Sequence, residues 1–234
     1  MLTAKSVTTV FLVDVDNTLF DNDGFAADLS AELERSFGST GRERYWALYE
    51  TLRDEVGYAD YLGALQRFRS GQETHARMLH IGDWMLGYPF AAHLYPHALQ
   101  ALAHVQTLGP TAILSDGDVV LQPHKIRRAG LWDALHGEVL VYVHKQHMLD
   151  AVQDRYPGNH YVMVDDKPQL LAQMKQVMGS RLTTVFVRQG HYAADIDAGL
   201  DPFPDMEIAC IGDLRTHAEA DFLRAATTIS LAAE

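Results

Sequence analysis

FLVDVDNTLF, Phe11 to Phe20, brings a run of buried-looking apolar chain to a stop at two aspartates one residue apart. A strand that ends on paired carboxylates instead of a plain turn raises the question of what those charges face. Four further apolar runs of strand length recur at wide intervals: TAILSD (Thr111 to Asp116), EVLVYV (Glu138 to Val143), HYVMVD (His160 to Asp165) and TTVFVR (Thr183 to Arg188). With VTTVFLVD (Val7 to Asp14) they are too uniformly apolar to have one wet face, which predicts strands of a covered parallel sheet. Helical segments separate most of them. QPHKIRRAGLWDAL carries Pro123 near its start, and PQLLAQMKQVMG runs from Pro168 to Gly179. Alternating strand and helix predict an α/β fold with a doubly wound, Rossmann-like parallel sheet. A weaker sixth strand, MEIACI (Met206 to Ile211), and an amphipathic helix over Asp213 to Ala226 complete it, with DAGLDPFPD (Asp197 to Asp205) as a surface loop.

The interval between the first two strands breaks the alternation. Phe25, Leu29, Leu33 and Phe37 recur at four-residue steps, followed by Tyr45, Tyr49 and Leu52 and by Tyr58, Leu62 and Leu65. That pattern predicts a helical insertion that returns to the core at Pro89 and Pro96. The expected organisation is a core of residues 1–20 and 92–234 with a helical cap domain of residues 21–91 inserted after the first strand.

Composition narrows the functions. The chain has 234 residues, 47% of them apolar, and 19 basic against 31 acidic residues give a net charge of −12. So acidic a chain is a poor match for nucleic-acid phosphates, and no nucleic-acid partner is expected. No run of about twenty apolar residues predicts a membrane span. A single cysteine, Cys210, and an N-terminal stretch without a secretion signal lead to the expectation of a cytoplasmic protein.

In open parallel sheets, ligands bind beyond the carboxyl ends of the strands. There the sequence places Asp14 and Asp16 after the first strand, Ser115 and Asp116 after the second, Lys145 after the third, and Asp165 and Asp166 after the fourth. Crowded carboxylates repel unless a cation shares the space. Hard oxygen donors suit Mg²⁺, which binds through one or two carboxylates plus substrate phosphate. Ser115 and Lys145 then stand where they can hold phosphoryl oxygens. Direct hydrolysis of a phosphate monoester is among the slowest reactions, with enzymes accelerating it up to about 10²¹-fold, and a covalent route divides that barrier. Asp14 is the expected nucleophile and Asp16 the expected acid and base.

DVDNTLF, LSDGD, Lys145 in VYVHK, and VDDK stand in the order of the four motifs of the haloacid dehalogenase-like superfamily, and the chain resembles that family from about Val7 to Gly190. The resemblance implies a Mg²⁺-dependent phosphatase acting through an aspartyl-phosphate on a small phosphorylated metabolite. It implies Asp14 as nucleophile, Asp16 as acid/base, Ser115, Asp116 and Lys145 at the phosphate, and Asp14, Asp165 and Asp166 at the metal. The backbone carbonyl of Asp16 is a further implied ligand. Asn17 departs from the glycine common in the first motif, and asparagine tolerates a left-handed turn. Within the fold, 2-haloacid dehalogenase and phosphomutase are the alternatives. Dehalogenases of the family lack the second aspartate of the first motif, so Asp16 favours phosphoryl chemistry. A phospho-acceptor signalling domain is a rival of another class, but its acids, hydroxyl and lysine come in a different order.

Side chains outside this set receive structural readings. Asp118 is expected to cap the helix that follows it. Lys125 is assigned to a solvated helical face, Lys167 to charge balance, and Asp21 and Asp23 to hinge or surface roles. His191, which follows the fifth strand and could border the site, is read as a loop residue. The pairs His93/His97 and His144/His147 are read as ordinary histidines, since Pro96 interrupts the first and no cysteine is near. Trp46, Tyr49 and Trp84 are assigned to the core of the insertion.

Overall fold

The computed structural model describes residues 8–71, 75–194 and 199–228. Six parallel strands form one sheet in the order β3-β2-β1-β4-β5-β6. They are β1 (Thr9–Val13), β2 (Thr111–Asp116), β3 (Val139–Tyr142), β4 (His160–Asp165), β5 (Leu182–Val187) and β6 (Met206–Ile208). The expected strands are all present, β6 shorter than its apolar run. Val7 and residues 197–198, part of the predicted first strand and surface loop, lie outside the described residues. Every residue of β1, β4 and β5 is buried, as a sheet covered on both faces requires.

Strand order reverses at β1, which pairs with β2 on one side and β4 on the other. Its successive side chains point to opposite faces. Phe11 and Val13 therefore join one apolar cluster with β2, β4 and the inserted helices, while Val10 and Leu12 join a second with Leu149, Leu171 and Met174. The end of β1 is thus the topological switch point, where open sheets leave a crevice.

Between β1 and β2 run α1 (Asn22–Val56), α2 (Tyr61–Arg69), α3 (Arg77–Gly87) and α4 (Ala98–Leu108). Asp21 caps α1 by accepting from Gly24 N at 2.8 Å, and Asp60 caps α2 by accepting from Gly63 N at 2.6 Å. Helix α1 breaks at Gly38, whose φ of 74° lies in the left-handed region that glycine adopts without penalty. The four-residue periodicity of the insertion is its core face, with Phe25, Leu29, Leu33, Tyr45, Tyr49 and Leu52 buried along α1.

The remaining helices are α5 (Leu121–Arg128), α6 (Leu131–Ala134), α7 (Leu149–Arg155), α8 (Pro168–Met178) and α9 (Glu219–Thr228). Asp118 caps α5 through Val120 N and Leu121 N, at 2.8 and 2.7 Å. The single helix expected over Asp213 to Ala226 divides into a 3-10 turn, Ile211–Thr216, and α9. The split falls at His217, whose extended backbone (φ −102°, ψ 137°) ends the turn, and Asp221 accepts from Ala218 N at 2.7 Å just before α9. Among the described residues no helix is long and apolar enough to cross a membrane.

Candidate active site

Backbone geometry after β1 brings the two first-motif aspartates to the crevice. Asn17 adopts φ 57°, a left-handed conformation that asparagine accommodates. Its side chain is then used twice: Oδ1 accepts from the backbone of Asn22 and Asp23, at 3.1 and 3.2 Å, so one residue both turns the chain out of β1 and holds the start of α1. From the far side Gly190 packs on Asn17, and a Cβ there would lie 2.5 Å from Asn17 Cγ.

Asp14, Asp165 and Asp166 are all buried and converge, offering ligand atoms within 4.8 Å of one another. Lys145 is 0% exposed and lies between two of them, its Nζ 2.5 Å from Asp14 Oδ1 and 2.6 Å from Asp165 Oδ2. Burial opposes its charge, but Asp14, Asp165 and Asp116 outweigh that and raise its pKa, so it is a permanent cation. Asp116 Oδ1 accepts from Lys145 N at 2.7 Å and sets the lysine's backbone against the end of β2.

One lysine does not satisfy three acids. Burial, reinforced by Asp165 and Asp14, pushes the Asp166 carboxyl up to about 9, with Lys167 and Lys145 opposing. Burial also raises the pKa of Asp165, against the pull of Lys145. Asp14 Oδ2, Asp165 Oδ2 and both carboxylate oxygens of Asp166 are buried with no hydrogen-bond partner among the described residues, although Asp165 Oδ2 lies in the ion pair with Lys145. Buried orphan carboxylate oxygens are costly, and a set made only of hard oxygen donors fits Mg²⁺. The residues present therefore suit the ion that the sequence pattern implies.

Asp16, Asp116 and Asp166 line a cavity of about 330 Å³. Asp14, Ser115, Lys145 and Asp165 are buried beside it, joined to the lining residues by the contacts above and by Gln122. Trp46, Tyr49, Arg53, Tyr58 and Tyr61 of the insertion form the facing wall, so Trp46 and Tyr49 border the cavity as well as packing in the insertion. Trp84 does not line it and stacks on Phe25, 6.0 Å between centroids.

Lys125 corrects the sequence reading. Instead of riding a solvated face it is 1% exposed, with Nζ 2.5 Å from Asp16 Oδ1 and 3.1 Å from Asn22 Oδ1. Gln122, one turn earlier, donates from Nε2 to Ser115 Oγ at 2.9 Å and to Asp16 Oδ2 at 3.3 Å. The signal was present in the spacing: Leu121, Gln122, Lys125 and Ile126 share the buried stripe of α5, which Ala129 continues just past its end. Asp23 and His191 also reach the cavity rim, paired at 2.7 Å across the crevice. Lys167 lines the cavity, and although burial lowers its pKa, Asp14, Asp165 and Asp166 together raise it above the ordinary value.

A parallel α/β sheet with acids at the strand ends and a helical insertion over them defines an α/β enzyme core of the capped type. A haloacid dehalogenase-like hydrolase of Burkholderia xenovorans LB400 is similar at 54% identity, over 90% of this chain and 99% of that one, with a TM-score of 0.83. The chain belongs to the haloacid dehalogenase-like hydrolases. The L-2-haloacid dehalogenase of Xanthobacter autotrophicus shares the fold at 17% identity and a TM-score of 0.59, over 89% of this chain and 97% of that one. The HAD-hydrolase YfnB of Bacillus subtilis, solved bound to magnesium, does so at 16% identity and 0.61, over 90% and 98%. No protein-family model matches the chain, and no match was found among curated proteins.

Proposed function

We propose that the protein is a Mg²⁺-dependent phosphatase of small phosphate monoesters. The observation that carries this reading is the convergence of Asp14 with Asp166, whose buried carboxylate oxygens have no hydrogen-bond partner among the described residues. Displacement of halide at carbon has no use for such a cluster, whereas phosphoryl transfer does.

Asp14 attacks phosphorus, forming an aspartyl-phosphate as the bond to the leaving oxygen breaks, and Asp16 gives that oxygen its proton. Water then attacks phosphorus, its proton passes to Asp16, and inorganic phosphate leaves as Asp14 is regenerated. Lys145 orients Asp14 and offsets charge on the phosphoryl oxygens, with Ser115 and Asp116 at the same strand end. When bound, Mg²⁺ supplies further neutralisation of that charge. Asp166 and Asp14 Oδ2 would hold it, with the Asp16 carbonyl. Asp165 is already engaged, by Lys145 at Oδ2 and by Lys167 N at 2.9 Å on Oδ1, and serves to fix the lysine.

Residues 21–91 act as the cap, and its aromatic wall restricts the site to compact metabolites. The second reading, a 2-haloacid dehalogenase, rests on the shared fold and on ILSDGD, and Asp16 counts against it. Purified protein incubated with p-nitrophenyl phosphate and, separately, with 2-chloropropionate decides between them. Phosphate release that needs Mg²⁺, stops with chelator and is lost in Asp14→Asn is expected. Chloride release indifferent to chelator, with no phosphate released, would overturn the proposal.

A further inference from the structure

We infer that Lys125 is a positioning residue for the reaction, holding the Asp16 carboxylate in the orientation from which it serves the leaving group. The inference rests on the phosphatase reading above. An ammonium buried to 1% exposure needs all three of its N–H donors directed at partners. Lys125 has Asp16 Oδ1 at 2.5 Å, Asn22 Oδ1 at 3.1 Å and the face of Phe20 at 5.2 Å from the ring centroid. Asp16 and Phe20 lie in the turn after β1, and Asn22 is the first residue of α1. One side chain from α5 therefore gathers the acid/base, the turn that carries it and the root of the cap. Gln122 closes the arrangement by holding the other carboxylate oxygen and Ser115 Oγ at once.

The consequences separate by oxygen and by element. With Oδ1 held by Lys125 and Oδ2 by Gln122, the Asp16 carboxylate has no free rotation about its terminal bond. Asn22 Oδ1 accepts from Lys125 while its Nδ2 donates to Tyr61 OH at 3.1 Å, and Tyr61 lines the cavity from α2. The orientation of Asp16 is thus tied through Lys125 to two helices of the cap.

Proton donation to the leaving group matters more the poorer the leaving group, and positioned acid/base groups supply roughly 10²–10⁴-fold. The test is a series of substituted phenyl phosphates, from nitrophenyl to alkylphenyl, hydrolysed by wild type, Lys125→Met, Lys125→Arg, Asp16→Asn and the double variant Lys125→Met/Asp16→Asn. Lys125→Met is expected to lose roughly tenfold or more in kcat/KM on the poorest leaving group beyond its loss on the best. Its dependence on leaving-group pKa should approach that of Asp16→Asn, with Lys125→Arg intermediate. In the double variant the lysine change should add no further dependence. Equal loss across the series, or additive effects in the double variant, would overturn the inference and make Lys125 a structural ion pair. Should Lys125→Met fail to fold by circular dichroism, Lys125→Gln, which keeps hydrogen bonds without the charge, carries the same comparison. Absence of phosphate release by wild type on every ester would instead remove the phosphatase reading, and the inference with it.

Discussion

Asp16 and Lys125 each depend on the other for different reasons. The lysine is 1% exposed and the Asp16 side chain 22%, so removing the acid strands a buried cation while removing the lysine frees an acid that can still reach water. Breaking a buried pair from one side costs about 3–5 kcal/mol, and replacing both partners by apolar groups costs much less. Asp16→Ala is therefore expected to lose about 3 kcal/mol in urea unfolding, and Asp16→Ala/Lys125→Met to recover most of it. Equal losses in the single and double variants would contradict the pairing. This residue also marks where the sequence was misread. A lysine beside an arginine pair in PHKIRRAG looks solvated if charge alone is counted, whereas its register with Leu121 and Ala129 puts it inside. The seven residues chosen from the strand ends, Asp14, Asp16, Ser115, Asp116, Lys145, Asp165 and Asp166, were legible because a parallel sheet fixes where strand ends go. Their partners on α5 were not, because helix faces reveal burial only through spacing.

Elements carry two further consequences. Gly190, in the loop after β5, has φ 65° and no room for a Cβ against Asn17. Gly190→Ala is expected to cost about 1–2 kcal/mol from the backbone alone and to lower kcat by disturbing the turn that Asn17 sets. Urea midpoints and phosphate release measure the two effects, and an unchanged kcat would separate the loop from the site. At the other end of the sheet, His160 opens β4, with Nε2 2.8 Å from Thr183 Oγ1, which donates to Phe222 O at 2.8 Å. Burial, helped by Lys175, lowers the His160 pKa below the ordinary 6.5. The unfolded chain then binds a proton that the folded chain refuses, so stability is full above pH 6.5 and falls as pH drops from there through the folded pKa. Denaturant midpoints between pH 7 and 5 should fall less in His160→Gln than in wild type, and parallel curves would contradict this. Strand existence was readable in uniform apolar runs, but the break at Gly38 and the split before α9 were not. Both depend on one residue's backbone conformation, at Gly38 and at His217, and not on periodicity.

For the molecule as a whole, an acidic chain of net charge −12 keeps a buried acid cluster that its own cations only partly balance. Anything that binds the folded chain alone raises its stability, by about 2.7 kcal/mol at a hundredfold excess over Kd. Added Mg²⁺ is expected to raise Tm in wild type and to leave Asp166→Asn unmoved, while without metal near neutral pH Asp166→Asn should melt close to wild type because the carboxyl it replaces, pushed up to about 9, is already neutral there. A Tm that ignores Mg²⁺ would contradict the metal assignment. The most direct measurement is the mass of acid-quenched Asp16→Asn protein after mixing with p-nitrophenyl phosphate and Mg²⁺, with the adduct mapped by peptide. The account predicts one phosphoryl group on the peptide containing Asp14, absent with chelator. An unmodified Asp14 under those conditions, together with an ester adduct on it after mixing with 2-chloropropionate, would contradict it.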